Sequence, residues 1–205
     1  MPESLAREIL DLTGEHLVLV LVALLAASLI GIPAGIGLTR KENWRGWVLG
    51  FANVVQTVPS LALFGFLIPI PFIGGIGKRT AIVALVLYAL LPILRNTLTG
   101  ILGVDRAVVE SAIAMGMTAR QRLLRLELPL AARTIFAGVR VAAVTTVGTA
   151  TIAAAIGGGG LGVFIFRGVA SVDAGQILAG AVPAALLALA ADGGLGWIER
   201  RLSPA

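Results

Sequence analysis

The sequence predicts an all-α, polytopic membrane protein built as a bundle of about five transmembrane helices. Its composition supports this class, because 58% of the 205 residues are hydrophobic, 13% are charged, and the mean hydropathy is +0.97. Several apolar stretches also reach the ~20 residues that a helix needs to cross a ~30 Å hydrocarbon core. The sequence contains no cysteine, which excludes disulfides and thiolate metal sites. We therefore expect a single transmembrane domain over residues 1–205.

Apolar runs place the spans along the chain. In the first run, Gly31 and Gly35 form a small-xxx-small spacing that lets another helix approach closely. In the second run, Pro59 removes a helix hydrogen bond and should kink the span. The five predicted spans cover about residues 17–38, 48–70, 80–101, 134–156 and 176–197.

The segment 157–173 contains too many glycines to predict a span. It is expected to form a re-entrant loop or a short helix packed against protein. A transmembrane 157–175 region, giving six spans and an inverted tail, is the alternative.

The loop charges predict the orientation of the chain in the membrane. Lysine and arginine are enriched in cytoplasmic loops, so the N-terminus is expected outside and the C-terminus in the cytoplasm. The net charge of +5 is explained by these loops, and nucleic-acid binding is not expected. Lys78 and Arg79 fit this scheme imperfectly. The predicted cytoplasmic side holds Arg40, Lys41, Arg45, Arg106, Arg120, Arg122, Arg125, Arg133, Arg200 and Arg201, and the other side holds Arg7, Lys78, Arg79 and Arg167.

The loop over residues 102–133 is far longer than two neighbouring spans need for their connection. Its pattern is helical and amphipathic, with an interruption at Gly116 and a proline, Pro129, shortly before the next span. Such a segment needs a partner or a surface. A basic amphipathic helix lying on anionic lipid is the alternative to a protein partner.

The loop also resembles the EAA signature of ABC-importer permeases. Glu110-Ser111-Ala112, Gly116 and the run Leu126-Glu127-Leu128-Pro129 stand at every offset of that signature, although Ser111 replaces the usual alanine. The resemblance implies a type I ABC-importer permease fold with a cytoplasmic coupling helix that inserts into a groove on an ATP-hydrolysing subunit. Residues 114–124 would form the contact, with Gly116 permitting a sharp turn and Pro129 ending the helix. The candidate coupling residues are Glu110, Ser111, Ala112, Ala114, Met115, Gly116, Met117, Arg120, Leu124 and Pro129.

Two carboxylates of this loop are expected to differ in importance. Glu110 should orient the coupling helix through a hydrogen bond or ion pair within the loop. Glu127 is expected to tolerate substitution better.

Further segments narrow the resemblance to one branch of the family. The segments 56–63, 90–97, 148–151 and 157–162 look like those of glycine betaine, carnitine and choline permeases. This likeness implies translocation of a small osmoprotectant. Methionine-type permeases share the EAA loop and the glycine-rich turn, so a methionine or other small-solute importer is the alternative.

The resemblance also implies partners. ATP and magnesium would be bound by separate cytoplasmic ATPase subunits, so this chain is not expected to be an enzyme or to hold a cofactor or metal. A second permease chain, identical or homologous, would complete the pathway in a prokaryotic inner membrane. No binding domain follows residue 205, which implies a separate extracytoplasmic solute-binding protein. An ion-coupled secondary transporter is a weaker hypothesis, because Asp192 is the one acidic residue deep in a predicted span.

Polar and aromatic residues near the prolines, together with a run of glycines later in the chain, are candidates for the translocation pathway or gate. The polar ones could equally bond backbone groups freed by Pro59 and Pro92. The aromatic rings could attract a quaternary ammonium by cation–π interaction. The glycine run lacks the Gly-Lys-Ser/Thr ending of a phosphate loop, so a flexible gate is expected there. The candidates are Gln56, Pro59, Ser60, Phe64, Tyr88, Asn96, Gly157, Gly158, Gly159 and Gly160.

Charged residues within the predicted spans have structural alternatives. Arg95 and Arg140 are expected to snorkel to the cytoplasmic interface, with a position on the pathway as the alternative. Asp192 is expected to bond a neighbouring span. No role is assigned to His16.

Overall fold

The computed structural model describes residues 2–202, with side chains from Leu5 onward, so the predicted domain 1–205 extends past the described part at both ends. Four of its helices are long and apolar enough to span a membrane, and a bent helix pair makes five if the pair is counted as one broken span. Helices account for all regular secondary structure in the described part. They are α1 (Pro2–Thr39), α2 (Glu42–Thr57), α3 (Ser60–Leu67), α4 (Lys78–Leu102), α5 (Arg106–Ala114), α6 (Ala119–Arg122), α7 (Leu128–Ala150), α8 (Gly162–Ser171) and α9 (Ala174–Arg201).

The second span breaks at the predicted proline. The axes of α2 and α3 differ by 104°, so Pro59 separates two helices rather than kinking one. The cause lies partly in Val58, whose ψ of 128° is extended. The ring of a following proline clashes with an α conformation at the preceding residue, which ends α2 there.

Helix α4 is the centre of the bundle, with α1 on one side and α7 on the other. The predicted close approach at Gly31 and Gly35 is confirmed. A methyl group on Gly35 would lie 2.7 Å from the Thr97 side chain, and one on Gly31 would lie 2.9 Å from Ile93. Without side chains at these two positions, α1 packs directly on α4.

The long loop folds into α5, α6 and a single π turn, Leu123–Glu127, that leads without a break into α7. The expectation that Pro129 ends the helix is therefore wrong, since it lies in the first turn of α7. Proline is tolerated in a first helical turn, and the preceding π turn rearranges the hydrogen bonds that an α-helix would form there. In the described chain, helix thus continues from Ala119 to Ala150.

After α7 the chain forms a 3₁₀ turn, Ile152–Ile156, and a glycine-rich loop before α8. The predicted short helix is α8, which packs against α9. Helix α9 begins at an Asp173 cap, whose carboxylate accepts the backbone N–H groups of Gly175 and Gln176. Hydrogen bonds from the backbone and side chain of Gln176, and from the backbone of Gly175, lower the pKa of Asp173 because they stabilise its ionised form.

Candidate functional site

The EAA segment forms a helix–turn–helix whose turn depends on Gly116. The φ of Gly116 is +80°, in the left-handed region that favours glycine. Its N–H donates to the carbonyl of Ile113 (2.9 Å), and the N–H of Met117 donates to the carbonyl of Ala112 (3.1 Å). These two bonds form a Schellman motif, which satisfies the carbonyls at the end of α5. The predicted sharp turn at Gly116 is confirmed.

A capping box begins the next helix immediately after this turn. The Thr118 hydroxyl accepts the backbone N–H of Gln121 (3.3 Å), and the Gln121 side chain accepts the backbone N–H of Thr118 (2.9 Å). This reciprocal pair fixes the angle at which α6 leaves the turn. The Thr-x-x-Gln spacing was readable from the sequence, although the prediction did not use it.

The turn presents an apolar surface to solvent. Met115 at its tip is 75% exposed, and Ile113 and Leu124 are also exposed on either side of it. Ala112, by contrast, is buried and holds α5 in place. Exposed large apolar groups at the end of a membrane bundle indicate a protein contact. Among the other candidates, Glu110, Ser111, Ala114, Arg120 and Pro129 are exposed, and Met117 is half-buried.

The two carboxylates of the loop have different environments. Glu110 has the expected ion pair within the loop, with Arg106 one turn earlier in α5 (2.8 Å), and its side chain is 62% exposed. Glu127 is 4% exposed and bonds two arginines, Arg122 at 2.7 Å and Arg40 at 2.8 Å. This burial counts against the expectation that Glu127 is the more tolerant residue, because removing it leaves two guanidinium groups without their shared carboxylate.

This buried carboxylate connects the coupling segment to the first span. Arg40 directly follows α1, so its bond to Glu127 joins the end of α1 to the π turn before α7. Arg45 secures the same end of α1 by donating to the carbonyls of Leu38 (2.8 Å) and Thr39 (2.6 Å). The base of the bundle thus has a charged network that links the coupling segment, α1 and α2.

The candidate pathway residues near the prolines make structural hydrogen bonds. Pro92 cannot bond the carbonyl of Tyr88, one turn earlier, and the Gln56 side chain donates to this oxygen instead (3.0 Å). The Tyr88 hydroxyl donates to the carbonyl of Val58 at the helix break. Asn96 donates to the carbonyl of Pro92 (2.8 Å). Gln56 therefore bonds a carbonyl freed by Pro92, which was the structural alternative for the polar candidates. The bond of Tyr88 to the helix break was not predicted.

The other candidates of this group differ in exposure. Phe64 is fully buried in the core with Leu85 and Val147, so its ring is not presented to a solute. Pro59 lies exposed at the break, and Ser60 is half-buried at the start of α3. A role of Pro59 and Ser60 in the translocation pathway stays a prediction.

The glycine-rich loop is held by the N-terminal half of α1. Glu15 accepts the backbone N–H of Gly160 (3.3 Å) and pairs with Lys78 at the start of α4 (2.8 Å). A side chain on Gly159 would collide with the Glu15 carboxylate, so the loop depends on glycine for this approach. We name Glu15, Lys78 and the loop 157–160 the outer clamp, after the orientation that the loop charges predict. Lys78, which fits the predicted orientation imperfectly, therefore has an ion-pair partner within the bundle, Glu15.

Two further contacts of α1 were not predicted. The buried His16 lies with Nε2 3.1 Å from the carbonyl of Val147. Arg167 of α8 donates to Glu8 (2.5 Å). Neither pair is a close neighbour in sequence, so no local pattern signalled them.

Arg95 and Arg140 also have partners within the bundle. Arg95 donates to the side chain of Asn53 (3.1 Å). Arg140 does not simply snorkel, because it forms a bidentate salt bridge with Asp192 at 2.7 and 2.8 Å. The expected bond between Asp192 and a neighbouring span is confirmed.

Comparison with known proteins identifies the family. Residues 27–204 match the binding-protein-dependent transport system inner membrane components. The chain belongs to this family. It is therefore a multi-pass transport permease component rather than a catalytic subunit, as the EAA loop and the apolar spans indicated.

Two relatives from Bacillus subtilis are similar over nearly their whole length. The glycine betaine/carnitine/choline transport system permease protein OpuCB is 45% identical over 96% of this chain and 89% of its own length. The choline transport system permease protein OpuBB is 45% identical over 97% of this chain and 90% of its own. The predicted resemblance to this branch is confirmed.

The fold matches a solved structure as well. A structure of the MetNI methionine ABC transporter in inward-facing conformations contains a chain that superposes with a TM-score of 0.88, covering 100% of both chains at 24% identity. This likeness confirms the type I ABC-importer permease fold.

Proposed function

We propose that this chain forms half of the transmembrane pathway of an ATP-driven importer for a small osmoprotectant such as glycine betaine, choline or carnitine. The observation that carries this proposal is the EAA segment, which folds as an exposed helix–turn–helix between two spans with Met115 at its tip. A bundle that had only to pack its own helices would gain nothing from such a projection. Relatives named for choline and glycine betaine transport support the solute class.

In this mechanism ATP is bound and hydrolysed by partner subunits. The exposed apolar turn docks in a groove of an ATPase, and closure of two ATPases on ATP moves the two docked segments. Within this chain, the continuous helix from Ala119 to Ala150 carries that movement into the membrane. The bond between Arg40 and Glu127 transmits it to α1 at the same time.

The proposed assembly contains a second permease chain and a solute-binding protein. Five helices of one chain can hardly enclose a gated route, so a homologous or identical chain would complete it. The loop charges support an orientation with the coupling segment and the C-terminus in the cytoplasm and the N-terminus outside. In this orientation the outer clamp lies on the side where a binding protein delivers the solute, and its glycine loop is the proposed gate.

The test is ATP hydrolysis by the reconstituted complex of permease, ATPase and binding protein. Glycine betaine, choline, carnitine, proline and methionine are supplied separately, with the complex lacking binding protein as the control. We expect stimulation by one or more of the three quaternary amines. Stimulation by methionine alone would overturn the solute class but preserve the importer. Failure of the permease to co-purify with the ATPase would overturn the importer itself.

A further inference from the structure

The spans α7 and α9 share a charged network. Arg140 of α7 binds both oxygens of Asp192 in α9, at 2.7 and 2.8 Å, and its third nitrogen lies 3.2 Å from Glu199. Glu199 also lies 3.8 Å from Arg133. Gly196 makes room for this arrangement, because a methyl group there would lie 2.9 Å from the Arg140 guanidinium. The network contains two cations and two anions and is therefore close to neutral.

The network extends from the predicted cytoplasmic boundary into the spans. Arg133 and Glu199 lie just outside the predicted spans 134–156 and 176–197. At 1.5 Å per residue, Arg140 lies roughly 9 Å inside the first of these spans, and Asp192 lies roughly 8 Å inside the second. Thr145 lies deeper, roughly 17 Å inside the first span.

This network is not enclosed by its own chain. The side chain of Asp192 is 46% exposed and that of Arg140 is 31% exposed. Both line an open cleft of about 400 Å³, whose walls also include Val141, Val144 and Thr145. Charged side chains at this depth are costly against lipid, and in membrane proteins they face protein or water.

The exposed surface of α1 has a different character. The exposed residues Val18, Leu21, Leu25 and Leu29 of α1 form an apolar stripe, and the predicted first span contains no charged residue. A stripe of this kind is compatible with lipid contact over its whole length. The chain therefore has an apolar side on α1 and a charged side on α7 and α9.

We propose that the charged side, formed by Arg140, Val141, Thr145 and Asp192, lines the water-filled route of the solute. This inference rests on the proposed function and assigns the route to one face of the chain. The paired guanidinium and carboxylate groups suit a solute that carries both a positive and a negative charge. Because the network is neutral and internally paired, it offers weak contacts to either charge without retaining the solute, as a route must.

The experiment exploits the absence of cysteine from the sequence. A single Thr145→Cys substitution is made in the complete complex, in inside-out vesicles, and treated with a charged maleimide that does not cross membranes. The matched control is Leu25→Cys on the apolar stripe. A thiol must ionise to react, which requires water, so we expect modification at position 145 to be at least about tenfold faster than at position 25.

Two results would overturn the proposal. Equal, slow modification at positions 145 and 25 would show that the face is not wet. Slow modification at position 145 together with efficient oxidative cross-linking between the Thr145→Cys residues of two permease copies would show that a second chain covers the face and excludes water from it. ATP hydrolysis with glycine betaine is measured on the same vesicles. Fast modification without any solute stimulation would support the wet face and count against the proposed function, so the two can fail separately.

Discussion

Glu127 holds two guanidinium groups together at the base of the bundle, and its removal should destabilise the fold. We expect Glu127→Ala to lower the free energy of unfolding by on the order of 2 kcal/mol, because a buried carboxylate with two charged hydrogen bonds is lost. Glu110→Ala should cost less than about 0.5 kcal/mol, since its ion pair with Arg106 is exposed. Thermal unfolding of the purified chain in detergent measures both.

Substitutions of the two carboxylates should also distinguish a loss of stability from a loss of coupling to the ATPase. If the EAA segment docks on an ATPase, Glu110→Ala should reduce solute-stimulated hydrolysis without loss of thermal stability. Glu127→Asp, which keeps the charge, should recover part of the stability that Glu127→Ala loses. Equal stability of the two alanine variants would contradict the inference from burial.

Gly116 is a second residue at which one substitution tests the coupling segment. No atom lies within 4 Å of a methyl group built on it, so the effect of a side chain comes from the backbone φ of +80°. We expect Gly116→Val to abolish most solute uptake, because a β-branched residue in this conformation costs more than the ~1–2 kcal/mol of an ordinary residue. Membrane insertion should be unaffected.

Asparagine supplies the control at this position, since it tolerates the left-handed region better than other residues. Gly116→Asn should therefore retain more uptake than Gly116→Val at an equal amount of protein in the membrane. Normal uptake by the valine variant would show that the turn geometry is not needed for coupling.

At the scale of elements, the outer clamp makes the N-terminal half of α1 a support for the glycine-rich loop. We expect Glu15→Ala to speed hydrogen exchange of the loop 157–162 by about threefold, because a half-exposed ion pair and one backbone hydrogen bond are lost. Exchange measured by mass spectrometry on the purified complex tests this.

Asp11→Ala provides the comparison for the clamp, since Asp11 is an exposed carboxylate one turn earlier on α1. Its substitution should leave exchange of the loop unchanged. Identical exchange in the Glu15 and Asp11 variants would mean that the clamp does not restrain the loop.

A single π turn joins α6 and α7 into one helix. Because Leu123–Glu127 joins α6 to α7, the coupling segment and the span form one continuous helical element in the described chain. Such an element moves more nearly as a rigid body than two helices joined by a flexible link. This continuity, which the position of Pro129 did not suggest, suits an element that must carry motion into the membrane.

At the scale of the whole molecule, different regions of the surface carry the different proposed contacts. The EAA turn projects from one end of the bundle, the outer clamp lies at the other, and the charged cleft of α7 and α9 lies between them. The apolar stripe of α1 is a further exposed surface. The proposed contacts with ATPase, solute and lipid therefore use separate surfaces of one small chain.

The sequence by itself determined the membrane class, the positions of the spans, an interruption at Pro59 and the turn at Gly116. These features are local, because a lipid environment requires about 20 apolar residues in succession, and proline and glycine act on their own backbone. The EAA signature likewise depends only on the spacing of residues within one loop, so the candidate coupling site could be found without coordinates.

Only the tertiary structure decided which charged groups meet. Arg40 and Glu127 are 87 residues apart, and Arg140 and Asp192 are 52 apart, so helical periodicity could not pair them. Burial of Glu127 and exposure of Glu110 likewise depend on how α1 packs beside the π turn. The energy of an ion pair is set by its distance and by access of water, which exist only once the helices have packed.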